Sequence, residues 1–315
     1  MALKVRAATF LDVGPVEQLH HEAEARVIQL PAPVRLWTLV SNTFTAFLPL
    51  GQESMILVAE DRGKVVGFIQ ASERSGSGSP ATASKVHTLQ VLNLCIKPQH
   101  PGEEEIAAAL IELLAEQAGE RGVHRLVVRV PLDEPLLPTF RMHGFRQFAT
   151  ETVLLTERAQ AGGDGKLPGA RPWSRRDERR LYSLYRRVTP VDVARLEAPT
   201  YRDFRSLRQE PGQQEVVERL ELVAWWRLHR GDGTRPDRLA FLAGPGRELA
   251  EGLADHALAA TAGRPAWVNF RHYDRDLIEA FRRRGFTGIL DQALLVRDAT
   301  VTDRAAQRAL VPSFG

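Results

Sequence analysis

The chain has 315 residues, 43% of them hydrophobic and 26% charged, with a formal net charge of +3 and one cysteine, Cys95. That length suits two domains of about 150 residues each, and the composition is that of an ordinary globular protein. One cysteine excludes an intrachain disulfide and a cysteine-rich metal centre.

No run of roughly 18 apolar residues predicts a membrane span. Residues 1–6 lack the apolar core of a signal peptide, so a cytoplasmic protein is expected. Arginine dominates the basic residues, which suits carboxylate and phosphate recognition. A charge of +3 over the whole chain is nevertheless a weak field and argues against nucleic acid as a partner.

In chain order, Asp12 predicts the N-cap of a helix reaching about residue 25, and residues 33–48 a second, more apolar helix. Residues 55–60 and 65–72 flank Asp61-Arg62-Gly63-Lys64, a hairpin signal. Residues 74–84 are rich in Ser and Gly and read as a loop. A strand is predicted over 88–96. Ile106, Leu110, Leu113, Leu114 and Gln117 follow helical spacing, which predicts a helix over 103–120. A strand over 125–130, a short helix over 136–143 closed by Gly144, and one or two strands over 145–156 complete the half. Residues 159–169 are Gly-rich without periodicity and read as a linker. The second half repeats the order, with helices near 177–187, 201–208, 247–261 and 275–284. Its strands fall near 215–219, 221–229, 238–243, 266–271 and 287–297.

The repetition extends to letters. LPTFRMHGFRQFATETVLL (137–155) aligns with IEAFRRRGFTGILDQALLV (278–296) at an offset of 141. Phe140 pairs with Phe281, Gly144 with Gly285, Phe145 with Phe286 and Leu154 with Leu295; upstream, Asp133 pairs with Asp274 and Val127 with Val268. KVVGFIQA (64–71) resembles ELVAWWRL (221–228), and VRAATFLD (5–12) resembles ARPWSRRD (170–177). Four segments in the same order predict a tandem repeat: an N-terminal domain over 1–158, a linker over 159–169, a C-terminal domain over 170–300 and a tail over 301–315.

The succession of hairpin, strand, loop, helix, strand, short helix and Gly-Phe resembles the GNAT superfamily of acyl-CoA N-acyltransferases, and does so twice. The resemblance implies an α/β fold with a mixed sheet, α+β in character, in two tandem GNAT-like domains. It implies acetyl-CoA as co-substrate, with pantetheine between the fourth and fifth strands and the pyrophosphate on the loop opening the next helix. The family pattern there is Gln or Arg, two residues, Gly, one residue, then Gly or Ala. Backbone N–H groups at a helix start make an anion site, and small residues let a phosphate approach.

The first half offers Gln99-His100-Pro101-Gly102-Glu103-Glu104-Glu105, in which Gln99 and Gly102 match and Glu104 replaces a small residue. Three carboxylates suit the positive end of the helix and oppose a pyrophosphate there. The second half offers Ala243-Gly244-Pro245-Gly246-Arg247, small residues and a cation without the leading Gln or Arg. The candidate coenzyme-binding residues are therefore Leu94 and Ile96 on the strand, Gln99, His100 and Gly102 in the first loop, and Gly244, Gly246 and Arg247 in the second.

Many members carry a general-acid Tyr four residues before the Gly of Gly-Phe, and an Asn eleven before it. Here Phe140 and Phe281, and Asp133 and Asp274, stand at those places. Phenylalanine cannot donate a proton, so no catalytic residue is assigned. Glu60, Asp61, Glu73, His229 and His272 are candidate bases and equally readable as surface groups. Histidine spacing predicts no metal site, and Cys95, within LNLCI, reads as buried and inert. Arg171, Arg175, Arg176, Arg179, Arg180, Arg186 and Arg187 read either as a solvated helix face or as a surface for an acidic partner, including the 3′-phosphate of a coenzyme. The resemblance implies transfer of an acetyl or acyl group to a small-molecule or peptide amine. The degenerate motifs allow the alternative of a GNAT-fold pseudoenzyme that binds a ligand or scaffolds. The acceptor, and whether the chain forms a homodimer, are left open by the sequence.

Overall fold

The computed structural model describes residues 3–22, 54–73, 88–162, 165–208, 212–231 and 235–299. The helix read over 33–48, the loop over 74–84 and the tail over 301–315 lie outside them. The chain forms two compact units, one of Met1–Gln147 with Ala293–Gly315, the other of Phe148–Gln292.

Unit 1 opens on a strand that the sequence reading left unassigned, β1 (Leu3–Ala7), antiparallel to β2 (Ser54–Asp61). A short 3-10 turn leads into α1 (Val13–Glu22). Asp12 is the third residue of that turn rather than an N-cap, and its Oδ2 accepts from the Thr9 backbone N–H at 2.7 Å in a capping box. The hairpin of β2 and β3 (Lys64–Glu73) turns through Arg62 and Gly63, both at positive φ (50° and 78°), the backbone a type I′ turn requires. β4 (Thr88–Ile96), α2 (Glu103–Glu120), β5 (Arg125–Pro131), α3 (Leu137–Met142) and β6 (Arg146–Thr156) follow as the periodicity predicts. Ile106, Leu110, Ile111 and Leu114 of α2 are buried against one face of β2–β5. Each contributes about 1.5–3 kcal/mol by that burial. Val16 and Leu19 of α1 cover the other face, on Val58, Phe68 and Cys95. Sheet order here is β1-β2-β3-β4-β5, followed by the end of the chain's last strand.

Unit 2 repeats the plan with β7 (Ala170–Pro172), α4 (Glu178–Val188), α5 (Val191–Glu197), α6 (Tyr201–Ser206), β8 (Gln213–Glu218), β9 (Leu222–His229), β10 (Asp237–Ala243), α7 (Arg247–Thr261), β11 (Ala266–Arg271), α8 (Arg275–Arg283) and β12 (Thr287–Asp298). Helix α5 was not anticipated. Its sequence signal is Pro190, the residue at its N-cap. In sheet order the unit runs from β12 through β6, β11, β10, β9 and β8 to β7.

The strands after the two Gly-Phe pairs are divided between the units in a way local pattern does not reveal. Leu154 of β6 is in the core of unit 2, and Leu295 of β12 is in the core of unit 1. Residues 148–158 thus belong with the second compact unit, and 293–299 with the first. Described residues of the segment read as a linker pack in unit 2. Ala159 is buried, Gly162 N–H donates to Asp255 Oδ1 at 2.5 Å, and Leu167 lies where a Cβ on Gly252 of α7 would come within 2.9 Å.

The repeat survives in three dimensions, with one adjustment. Phe145 N–H donates to Phe140 O (3.1 Å) and Phe286 N–H to Phe281 O (3.2 Å), which keeps the offset at 141 there. One strand earlier, Leu126, Val128 and Val130 face α2 as Ala266, Val268 and Phe270 face α7. The offset there is 140, and the counterpart of Val268 is Val128. Asp274 N–H donates to Arg271 O and Glu134 N–H to Pro131 O, so Glu134 rather than Asp133 answers Asp274.

Candidate functional site

In unit 1, β4 and β5 pair in parallel only at Thr88–Arg125, Leu89–Leu126 and Gln90–Val127. Beyond Gln90 the ladder stops, so the β5 side of residues 91–96 is left to other partners. The far side of β4 stays paired with β3 through Ile96, across an irregularity next to Asn93. Leu94 and Ile96 turn their buried side chains toward α2.

At the end of β4 the chain is pinned where Lys97 N–H donates to Val66 O (2.8 Å). Gln99 is exposed and takes φ +58°, which turns the chain toward α2. Gly102 is buried at the N-cap position, and its N–H donates to His100 Nδ1 at 3.2 Å. His100 Nε2 lies 3.8 Å from Asp61 Oδ2. The imidazole thus bridges the β2–β3 turn and the helix start, and an incoming anion would compete with it for the Gly102 N–H. Glu104 and Glu105 are exposed and Glu103 half-buried.

Unit 2 has the same frame with different contents. β10 and β11 pair in parallel only at Asp237–Ala266, Arg238–Trp267 and Leu239–Val268. Gly244 N–H donates to Val223 O (2.9 Å), the counterpart of the Lys97 bond. Past the last rung, three rings meet: Phe241, Phe270 and Phe281 lie with centroids 5.2–5.8 Å apart. Leu94 and Val130 stand at the places of Phe241 and Phe270 in unit 1. The unit 2 loop is also engaged. Gly246 N–H donates to Asp276 Oδ2 at 2.8 Å, and Arg247 Nε donates to Glu251 Oε1 at 2.8 Å from a largely exposed side chain.

The opposite face of each sheet carries groups that could handle an amine. In unit 1, Asn93 Nδ2 donates to Gln70 Oε1 (2.9 Å), both side chains buried, and His20 Nδ1 is 3.8 Å from Cys95 Sγ. Burial, and next the neighbouring His21, push the His20 pKa down and favour a neutral ring. In unit 2 the corresponding face is charged. Arg271 Nη1 pairs with Glu151 Oε2 at 2.8 Å, Arg271 Nη2 with Glu197, and Gln292 Nε2 donates to Glu151 Oε1 at 2.7 Å. Burial disfavours the Arg271 charge, but Glu197 and Glu151 outweigh it and raise the pKa. Asp274 accepts from Arg271 N–H at 3.0 Å and has its pKa pushed up to about 6, chiefly by burial. No motif marks this cluster, because its members come from β6, α5, β11, β12 and the start of α8.

Of the candidate bases, Glu60 is committed elsewhere. Arg6 donates to both oxygens of Asp12 (2.6 and 2.9 Å) and to Glu60 Oε2 (3.1 Å). Arg171 repeats this with Asp177 (2.8 and 2.7 Å) and Glu218 (2.7 Å). His229 and His272 are exposed, and the Glu73 side chain lies outside the described residues. Phe140 and Phe281 are fully buried.

A family model described as "Acetyltransferase (GNAT) family" matches residues 25–145. No curated protein matches the sequence. Among solved structures, the chain is similar to a GCN5-related N-acetyltransferase from Sphaerobacter thermophilus, at 16% identity and TM-score 0.60, covering 94% of this chain and 96% of that one. It is also similar to a tandem GNAT protein from the clavulanic acid biosynthesis pathway, at 15% identity and TM-score 0.56, covering 94% and 98%. A third is a GCN5-related N-acetyltransferase from Anabaena variabilis, at 12% identity and TM-score 0.51, covering 95% and 73%. Residues 25–145 match the GNAT acetyltransferase family model, and the chain as a whole has the fold of a tandem GNAT protein.

Proposed function

We propose that this chain is an acyl-CoA-dependent N-acyltransferase, acting on a small-molecule or peptide amine, and that its coenzyme binds in unit 1. The observation that carries the reading is the contrast between the two gaps. In unit 1 the β4–β5 ladder stops beside a buried glycine cap. In unit 2 three phenylalanine rings meet past the last rung, where unit 1 has Leu94, Val130 and Phe140, and Asp276 holds the loop N–H. The family match, which falls within the first half, supports the same choice.

The backbone at Leu94 and Ile96 would line the pantetheine arm, and Gln99, His100 and Gly102 would meet the pyrophosphate. When bound, acetyl-CoA supplies an acyl thioester open to attack by an amine. The chain's own part is to orient that thioester along β4 and to keep a neutral base, His20, on the α1 face. Phe140 cannot protonate a departing thiolate, so that proton comes from water or another group.

Calorimetric titration with acetyl-CoA tests the assignment. Glu104 is exposed, so removing its repulsion is worth about 0.5–1 kcal/mol, roughly two- to fivefold in affinity. Glu104→Gly, with or without Glu103→Gln, should tighten binding, more so at low salt, while Arg247→Ala should leave it unchanged. Loss of binding in Arg247→Ala alone would move the coenzyme to unit 2. Absence of binding at millimolar coenzyme would leave the pseudoenzyme reading, which the two phenylalanines favour.

A further inference from the structure

Residues 171–208, from β7 to just past α6, hold eleven arginines and no lysine against five carboxylates, an excess of +6. The whole chain carries +3. The chain's positive charge is therefore concentrated in one stretch of unit 2, and the remainder is net negative.

The carboxylates of this stretch are largely turned inward or committed. Asp177 is buried on Arg171, Glu178 accepts from Arg208 Nη1 at 2.9 Å, and Glu197 pairs with Arg271. Asp203 closes the capping box of α6 on Thr200, and Asp192 lies 3.9 Å from Arg195. Nine of the eleven arginines, by contrast, are exposed, the exceptions being Arg171 and Arg208. Leu181, Leu184 and Tyr185 turn the apolar side of α4 into the unit. The opposite side carries two rows. In one, Arg180 and Arg187 pair with Glu218 and Glu221. In the other, Arg179 and Arg186 are seven residues apart, two turns of α4, and Arg175 lies in the 3-10 turn just before it. These three and Arg176 are exposed and have no ion-pair partner among the described residues.

We propose that this face of α4, with the turn before it, is a binding surface for the phosphates of nucleic acid. Arg179 and Arg186 are about 10 Å apart along the helix axis, roughly the rise of three base pairs. The planar guanidinium fork matches phosphate oxygens bidentately. Carboxylates offer the same geometry, but a protein partner needs more than charge. Protein interfaces seat apolar and aromatic side chains at their centre, and α4 keeps its apolar residues inside. Val191 and Leu220 are exposed only as single side chains. A face of charge without an apolar seat suits contacts that are electrostatic and independent of sequence. This proposal does not depend on the acyltransferase reading.

A fluorescent mixed-sequence DNA duplex of 20 base pairs, titrated with the full chain from 50 to 200 mM salt, tests it. Four phosphate contacts predict a log–log salt slope of about −3.6. Arg175→Glu/Arg179→Glu/Arg186→Glu should weaken binding at least tenfold at 50 mM salt and flatten the slope by about 2.7. Its thermal melt should match the parent's, and Arg175→Gln/Arg179→Gln/Arg186→Gln serves if the reversal variant fails to fold. No binding at 50 mM salt, or equal binding by the folded triple variant, overturns the proposal. Tighter binding of polyglutamate than of the duplex overturns it in favour of an acidic protein partner.

Discussion

Asp12 and Asp177 anchor the first turn of each unit in the same way. Each accepts the N–H of a hydroxyl residue three positions earlier, Thr9 or Ser174, and a bidentate Arg six positions earlier. The sequence shows the pairing of VRAATFLD with ARPWSRRD but not its meaning, because the third member of each triad, Glu60 or Glu218, lies some 40 to 50 residues away. The Arg6 guanidinium brings the Asp12 pKa from an ordinary 3.8 down to about 2, against the cost of burial. The folded state therefore holds that proton more weakly than the unfolded one. The stabilisation is present in full above pH 3.8 and is lost as pH falls toward 2. Asp12→Asn should cost about 2 kcal/mol at pH 7. In urea denaturation the gap between the two proteins should narrow below pH 3.8. A gap independent of pH would show that the carboxylate charge is not what the turn uses.

The helix–Gly–Phe element is the one the sequence describes best, because all of its determinants are local. Gly144 and Gly285 sit at φ 79° and 82°, where glycine ends a helix without a Cβ clash. The phenylalanine four residues earlier then faces inward. Phe140 meets Phe145 edge-on at 5.4 Å, and Phe281 meets Phe286 at 5.0 Å. Both are fully buried, so Phe140→Ala and Phe281→Ala should each cost about 3–5 kcal/mol, measured by chemical denaturation. A loss below about 1 kcal/mol in either would place that ring outside the core. The loop before α2 is less legible. Gln99 and Gly102 match a pattern, yet the decisive features are where the β4–β5 ladder ends and that His100 takes the Gly102 N–H.

At the scale of the molecule, the last strand completes unit 1 from the far end of the chain. Ala293 and Leu295 are fully buried in its core, and Ala299 N–H donates to His124 O at 2.9 Å. Ending the chain after Gln292 should therefore loosen unit 1 and leave the core residues of unit 2 in place. Amide hydrogen exchange should speed up over β5 of unit 1 and change little in the core of unit 2. Unchanged protection of β5 would show that β12 is dispensable to it. By itself, the sequence determined the order of most elements, the tandem repeat and the inward faces, since periods of 2 and 3.6 and glycine caps act within a few residues. Tertiary structure alone decided which unit each final strand joins, that Phe241, Phe270 and Phe281 meet, and which carboxylates surround Arg271. Those outcomes depend on side chains that meet across long sequence separations, and spacing along the chain carries no signal for them.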